Sequence, residues 1–172
     1  GGRMKTLGSL WPDVQPEIAG VAVSALTLDS RQVRAGMAFI ALKGQSRDAR
    51  EFIPAVISAG AVAVFAERDE SWPESRVVAG VPVIVIEHLD QHAGHIAARF
   101  HGEPSRQMQV VAVTGTNGKT SVSNLLAGAL MRLGKRSAVL GTIGNGIVGA
   151  LEKSTHTTLD AVSLQALLAG FR

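Results

Sequence analysis

The sequence predicts an α/β fold in two parts, and three observations carry that reading. Short apolar runs alternate with helical spacings through the first part of the chain. A breaker, Gly102-Glu103-Pro104-Ser105, interrupts the pattern. After it a strand, a glycine-containing loop and a helix follow in direct succession. Strands separated by helices indicate parallel pairing with helices covering the sheet, and Gly/Pro clusters mark the joints. The boundary is placed so that one α/β domain covers residues 1–104 and the beginning of a second covers 105–172.

Taken in order, Val23 to Leu28 is apolar and runs into the polar turn Asp29-Ser30-Arg31. Met37 to Leu42 is short and continuously apolar, as a buried strand is. Glu51 to Ala59 has helical spacing, with Phe52, Ile53, Val56 and Ile57 on one side and Gly60 as the stop. Ala61 to Ala66 and Val81 to Ile86 are further strands, and Leu89 to Phe100 is a helix. Beyond the breaker, Gln109 to Val113 reads as a strand. Lys119 to Leu133 reads as a helix with Val122, Leu125, Leu126, Ala129 and Leu130 turned inward, ended by Gly134. Ser137 to Leu140 reads as the next strand, completing one βαβ unit. A doubly wound domain needs several more strands to bury both faces of its sheet. The second domain therefore reads as incomplete and the chain as part of a longer protein.

Composition narrows the function classes. With 46% hydrophobic and 18% charged residues the chain has the balance of a globular protein that buries a core. No apolar run reaches the roughly 18 residues that span a bilayer, and the first residues lack the apolar stretch of a signal peptide. The absence of cysteine excludes disulfides and thiolate metal sites, in keeping with a reducing, cytoplasmic setting. A net charge of +3 is small for a nucleic-acid binder. Arg31, Arg34, Lys43, Arg47 and Arg50 do gather in one stretch. They read either as scattered surface charge or as a cradle for a small anion.

The strongest chemical signal is Val110 to Ser121, VVAVTGTNGKTS. A strand enters a tight turn and the turn opens a helix. The first backbone N–H groups of a helix have no intrahelical partner, and the helix dipole adds positive potential there, so such a turn binds phosphate. Gly115 and Gly118 let the backbone approach an anion, Lys119 supplies a full charge for the β- and γ-phosphates, and the Thr120 hydroxyl suits Mg²⁺. The general pattern G-x-x-x-x-G-K-[ST] would need glycine at 113, where this chain has Val113. The loop is thus a shorter variant.

Thr114-Gly115-Thr116-Asn117-Gly118-Lys119-Thr120 resembles the ATP loop of the Mur ligase superfamily. The resemblance implies ATP binding by Gly115, Thr116, Asn117, Gly118, Lys119, Thr120 and Ser121, with Lys119 catalytic and Thr120 a Mg²⁺ ligand. It implies activation of a carboxylate as an acyl phosphate, which an amine then displaces. Leu26-Thr27-Leu28-Asp29-Ser30-Arg31, Phe39 to Gly44, Asp48 and Phe52-Ile53-Pro54 resemble the uridine-substrate domain of the MurE type. That likeness implies that residues 1–104 bind UDP-N-acetylmuramoyl-L-alanyl-D-glutamate (UDP-MurNAc-L-Ala-D-Glu) through Leu28, Ser30 and the loop Gln45-Ser46-Arg47. It implies equally that residues 105–172 begin a P-loop-type central ATPase domain. Ala138 to Gly146 is similar to the family stretch A-V-x-G-T-x-G-x-G. Thr157 and Thr158 match a threonine pair at the muramoyl-peptide substrate, and His156 precedes it where other members have Asn. Leu159 stands where many have Pro.

The reaction so implied is addition of meso-diaminopimelate to the muramoyl dipeptide by a protein that is monomeric at full length. These residues alone are expected to be inactive. The alternatives are an L-lysine-adding or MurF-type ligase, or a non-catalytic UDP-sugar-binding module; a P-loop kinase would transfer phosphate without forming an amide. No nucleic acid or membrane partner is implied.

Two further patterns are read as structure. Gly144-Asn145-Gly146-Ile147-Val148-Gly149 satisfies G-x-G-x-x-G, but no apolar helix follows to make it a dinucleotide site. His88, His92 and His95 share a helical spacing that a metal could use, but no carboxylate or cysteine partner is placed obviously beside them, and they read as solvent-facing. Trp11 and Trp72 read as packing residues.

Overall fold

A computed structural model of the chain describes residues 4–141, 144–147, 151 and 159–172. The chain forms two compact units, Gly1–Glu103 and Pro104–Arg172. The α/β architecture expected from the sequence is what it adopts.

The first unit opens with β1 (Lys5–Thr6), α1 (Leu7–Leu10), α2 (Pro16–Ala19) and β2 (Ala22–Val23), β1 and β2 pairing antiparallel. The sheet that follows contains β3 (Leu26–Thr27), β4 (Ala38–Ala41), β5 (Ala63–Glu67), β6 (Arg76–Val78) and β7 (Val81–Ile86) in the order β3-β4-β5-β7-β6. Only β6, on the edge, runs antiparallel to its neighbour. The other strands are parallel, with Phe39 opposite Val64 and Val64 opposite Val83.

Every residue of β4 and the first four of β5 are fully buried. This is why those segments read as unbroken apolar runs: a parallel sheet is covered on both faces. Side chains alternate between the faces. Phe39, Ala41, Val64, Ala66, Val83 and Val85 pack with Ile53 and Val56 of α3 (Ile53–Ser58). Their alternates face the other way, where α4 (Leu89–Phe100) lies against β5 and buries Leu89, Ala93, Ile96 and Ala97. α1 also packs on α4, with Leu7 and Leu10 fully buried and Arg99 Nη1 donating to the Leu10 carbonyl at 3.0 Å. Trp11 meets His92 edge to face, ring centroids 5.2 Å apart, while His88 and His95 are exposed. Trp72 lies beneath the Arg76 guanidinium, 3.8 Å from it.

The second unit departs from its expected pattern. After a 3₁₀ turn at Pro104–Gln107 come α5 (Lys119–Arg132), β8 (Ala138–Gly141), β9 (Gly144–Ile147) and α6 (Ala161–Gly170). Gln109 to Val113 forms no strand, so the expected βαβ unit is not made. A strand exists only through ladder bonds to a neighbour. Among the described residues β8 takes β9 as its antiparallel partner and none pairs with 109–113; Val110 and Val111 are 61% and 64% exposed. The helix α5 is where it was expected, but its inward face is not. Val122, Leu125 and Leu126 are exposed, Ala129 also, Leu130 is half-buried, and Ala127 is the residue that packs. An apolar stripe is covered only where another layer faces it.

The Gly144–Ile147 portion of the G-x-G-x-x-G stretch is a strand whose Asn145 Oδ1 accepts from the Gly141 amide at 3.1 Å, so it opens no helix. The helix α6, unforeseen in the sequence, is capped by Asp160, whose carboxylate accepts from the Ser163 amide at 2.8 Å and its hydroxyl at 2.6 Å. No helix among the described residues is long and apolar enough to cross a membrane.

Candidate functional site

The residues singled out in the sequence fall on two surfaces, one in each unit. In the second unit, residues 114–118 are an exposed loop leading straight into α5. Gly115 has φ of 153° and Gly118 has φ of 79°, conformations that side chains resist. Gly118 is the residue that begins the helix, and no side chain caps it. The amide end of α5 is therefore presented without a carboxylate or hydroxyl cap. Lys119 occupies the first helical position, and its ammonium folds back over the loop to donate to the Gly115 carbonyl. Thr120 comes next, its carbonyl accepting from Ser123 Oγ at 3.0 Å and Asn124 Nδ2 at 2.8 Å. Gly115, Thr116, Asn117, Gly118, Lys119, Thr120 and Ser121 thus lie consecutively in the loop and the first turn of α5. A groove of about 720 Å³ beside the loop joins Lys119, Thr120 and Ser123 to Val111, Val113 and Leu126.

Thr120 fits a magnesium ion as to donor type, offering one hard hydroxyl oxygen. Such an ion usually takes one or two protein ligands and completes its shell with water and phosphate oxygens. Among the described residues no cluster of three His, Asp or Glu side chains adds further ligands.

In the first unit, β3 and β4 are parallel neighbours, so the segments that follow them leave the same, carboxyl, edge of the sheet. Ligands of open α/β sheets bind outside this edge. After β3, half-buried Leu28 leads to Ser30, the first residue of a 3₁₀ turn. After β4, a short loop closes with Lys43 bridged to Asp48 and the Gly44 amide donating to the Arg47 carbonyl at 3.1 Å. Gln45 and Ser46 are exposed at its tip, and the Arg47 guanidinium sits 4.7 Å from the centre of the Phe52 ring. A Cβ at position 44 would lie 2.6 Å from the Arg47 carbonyl oxygen, so only glycine fits the closed loop. Gly44→Ala is expected to cost about 1–3 kcal/mol in a urea titration, because backbone must move. His156, Thr157 and Thr158 lie outside the described residues.

Of the basic stretch that the sequence allowed as either surface charge or a cradle, Arg31, Arg34, Lys43 and Arg50 bond within the protein and form no cradle. Arg50 is only 4% exposed and committed to the protein itself. Its Nε and Nη2 donate to the Asp48 carboxylate at 2.8 and 2.6 Å, Nη2 to Asp69 Oδ2 at 2.8 Å, and Nη1 to the Glu67 carbonyl at 2.9 Å. Lys43 Nζ also donates to Asp69, at 3.0 Å, and its backbone N–H to Glu67 Oε2 at 2.7 Å. Arg31 pairs with Asp29 at 2.8 Å, and Arg34 donates to the Arg31 and Val33 carbonyls. A buried guanidinium needs acceptors on all its donors, and sequence spacing alone did not reveal Asp69 as one.

The same geometry sets the carboxylates. Hydrogen bonds from Arg50, then Ser71 and Lys43, hold Asp69 far below the usual carboxylate range; a hydrogen bond from Arg50 also lowers the pKa of Asp48. A carboxyl whose pKa is lower folded than unfolded stabilises the fold above its unfolded value and loses that contribution as pH falls through the folded one. Thermal stability is therefore expected to drop as pH falls below about 4, where unfolded aspartates titrate. Asp69→Asn should flatten that acid slope in a series of melts.

Two family models match the chain: "Mur ligase family, catalytic domain" over residues 22–101 and "Mur ligase middle domain" over 113–172. The chain belongs to the Mur ligase family. Among curated Mur ligases, the UDP-N-acetylmuramoyl-L-alanyl-D-glutamate–2,6-diaminopimelate ligase of Ectopseudomonas mendocina (strain ymp) is 48% identical over 157 residues, 90% of this chain and 31% of that protein. A solved structure of a ligase with that same name superposes with a TM-score of 0.75 at 30% identity, covering 98% of this chain and 34% of the other. A MurF ligase of Thermotoga maritima in complex with ADP superposes with a TM-score of 0.54 at 25% identity, over 84% of this chain and 28% of the other. The chain thus spans about a third of the length of the Mur ligases it matches.

Proposed function

We propose that the longer protein containing this Mur ligase segment adds meso-diaminopimelate to UDP-MurNAc-L-Ala-D-Glu at the expense of ATP. The observation that carries the reading is the uncapped start of α5, with Gly115 and Gly118 at positive φ and Lys119 and Thr120 in the first helical turn. Backbone amides there receive the nucleotide's phosphates. Lys119 would leave the Gly115 carbonyl to bear on the β- and γ-phosphates, and Thr120 would hold Mg²⁺, which offsets phosphate charge when bound. The γ-phosphoryl group passes to the glutamate carboxylate, giving an acyl phosphate and ADP. The incoming amine attacks the acyl carbon, and phosphate leaves as the amide forms. In the first unit Leu28, Ser30, Gln45, Ser46 and Arg47 would receive the UDP end at the carboxyl edge of the sheet, and His156, Thr157 and Thr158 would meet the muramoyl peptide. The diaminopimelate ligases among its relatives support diaminopimelate as the amine.

Calorimetry on the longer protein tests this. Mg·ATP and UDP-MurNAc-L-Ala-D-Glu should each bind, and adding diaminopimelate to both should release phosphate. Absence of Mg·ATP affinity would remove the ligase reading. Binding of the UDP-sugar without turnover would leave a non-catalytic module. The 172 residues by themselves should give no ligase turnover.

A further inference from the structure

Both feet of the loop that carries Gln45, Ser46 and Arg47 are tied to one strand end. The first foot, Lys43, is held by its backbone N–H to the Glu67 carboxylate and by its ammonium to Asp69. The second foot, Asp48, is gripped by Arg50 through two parallel hydrogen bonds, and Arg50 reaches on to Asp69 and the Glu67 carbonyl. Asp69 is itself fixed by the Ser71 amide and hydroxyl at 2.9 and 2.7 Å. The loop's tip makes no comparable attachment: Gln45 and Ser46 are exposed, and Arg47 rests on Phe52. A loop binds well only if its ends are already in place, since ordering it on binding costs affinity.

We propose that Asp69, with Arg50 and Glu67, is a positioning residue that presets the 44–47 loop for the UDP end of the substrate. The proposal rests on the substrate reading given above for the first unit. The web also borders a cavity of about 480 Å³ at the carboxyl edge, lined by Lys43, Glu67, Arg68, Asp69 and His88. The web and the loop's first foot, Lys43, thus lie at the edge where a ligand of this sheet would bind.

The sign of the effect separates positioning from direct charge. Asp69 and Glu67 are acidic and the diphosphate is an anion. If they acted only through their charge, neutralising them would tighten binding. Presetting predicts the opposite. In calorimetry on the longer protein with UDP-MurNAc-L-Ala-D-Glu, Asp69→Asn and Glu67→Ala should each raise Kd about tenfold. Hydrogen exchange should quicken at the Gly44 and Ala49 amides, which donate to the Arg47 and Leu42 carbonyls. Val56→Ala, a core change in α3 away from the web, should lower the melting temperature and leave Kd within about twofold. Unchanged or tighter binding in the two web variants, or an equal loss in Val56→Ala, overturns the proposal. If Asp69→Asn does not fold, Glu67→Ala decides by itself, because its bond to Lys43 lies on the exposed side of the web. No binding by the wild-type longer protein would instead sink the substrate reading on which the proposal stands.

Discussion

Lys119→Ala in the longer protein is expected to lower ATP-dependent phosphate release about a thousandfold or more. The magnitude is that of losing a preorganised charge aimed at a transferring phosphoryl group. Folding should be untouched, because Lys119 is exposed and its contact is to the Gly115 carbonyl of its own loop. The unfolding midpoint should move by no more than about 0.5 kcal/mol, as for a surface substitution. Lys119→Arg keeps the charge but spreads it over a planar fork, and it should recover only part of the rate. Wild-type turnover from Lys119→Ala would take the phosphate-binding role away from this loop.

The second large effect is on stability. Arg50→Ala should cost about 3 kcal/mol, read as a lower urea midpoint. Breaking a buried ion pair by removing one partner leaves the other charge without compensation. The partners here, Asp48 and Asp69, keep 33% and 22% of their side-chain surface, so water relieves part of the loss and the low end of the usual range applies. Asp29 and Arg31 provide the internal control. There too a carboxylate accepts from the amide and the guanidinium two residues on, at 3.0, 2.9 and 2.8 Å. The Arg31 side chain is 88% exposed, so Arg31→Ala should leave the midpoint where it was. A similar loss in both variants would show that the local turn, not burial, sets the cost.

This pair also shows what could be read in advance. Asp-x-Arg occurs at Asp29 and Asp48, each time just before a 3₁₀ turn, and its local geometry follows from spacing. Which copy becomes buried depends on Asp69, nineteen residues beyond Arg50, and only the parallel register of β4 and β5 brings the two together. Central strands were legible because burial on both faces leaves an unbroken apolar run, as in β4, β5 and β7. The phosphate loop was legible because its functional groups are consecutive. That 109–113 forms no strand and that the apolar stripe of α5 lies exposed was not legible, because an apolar pattern states a preference for cover without supplying the layer that covers it. α6 escaped notice for a related reason. Its sequence AVSLQALLAG is apolar almost all round and offers no stripe to count, although Asp160 and Ser163 had the spacing of a cap.

The clasp between α1 and α4 constrains how the first unit is made. Leu10 and Arg99 are joined by a hydrogen bond across 89 positions of sequence, and Leu7 and Leu10 are buried by a helix that ends at Phe100. α1 packs early against α2, but Leu7 and Leu10 gain their cover from α4 only after nearly the whole unit has been made. Contacts of such wide separation slow folding. Removing the opening ten residues would then do more than trim an end: it would strip a wall from the core and leave one side of α4 facing water.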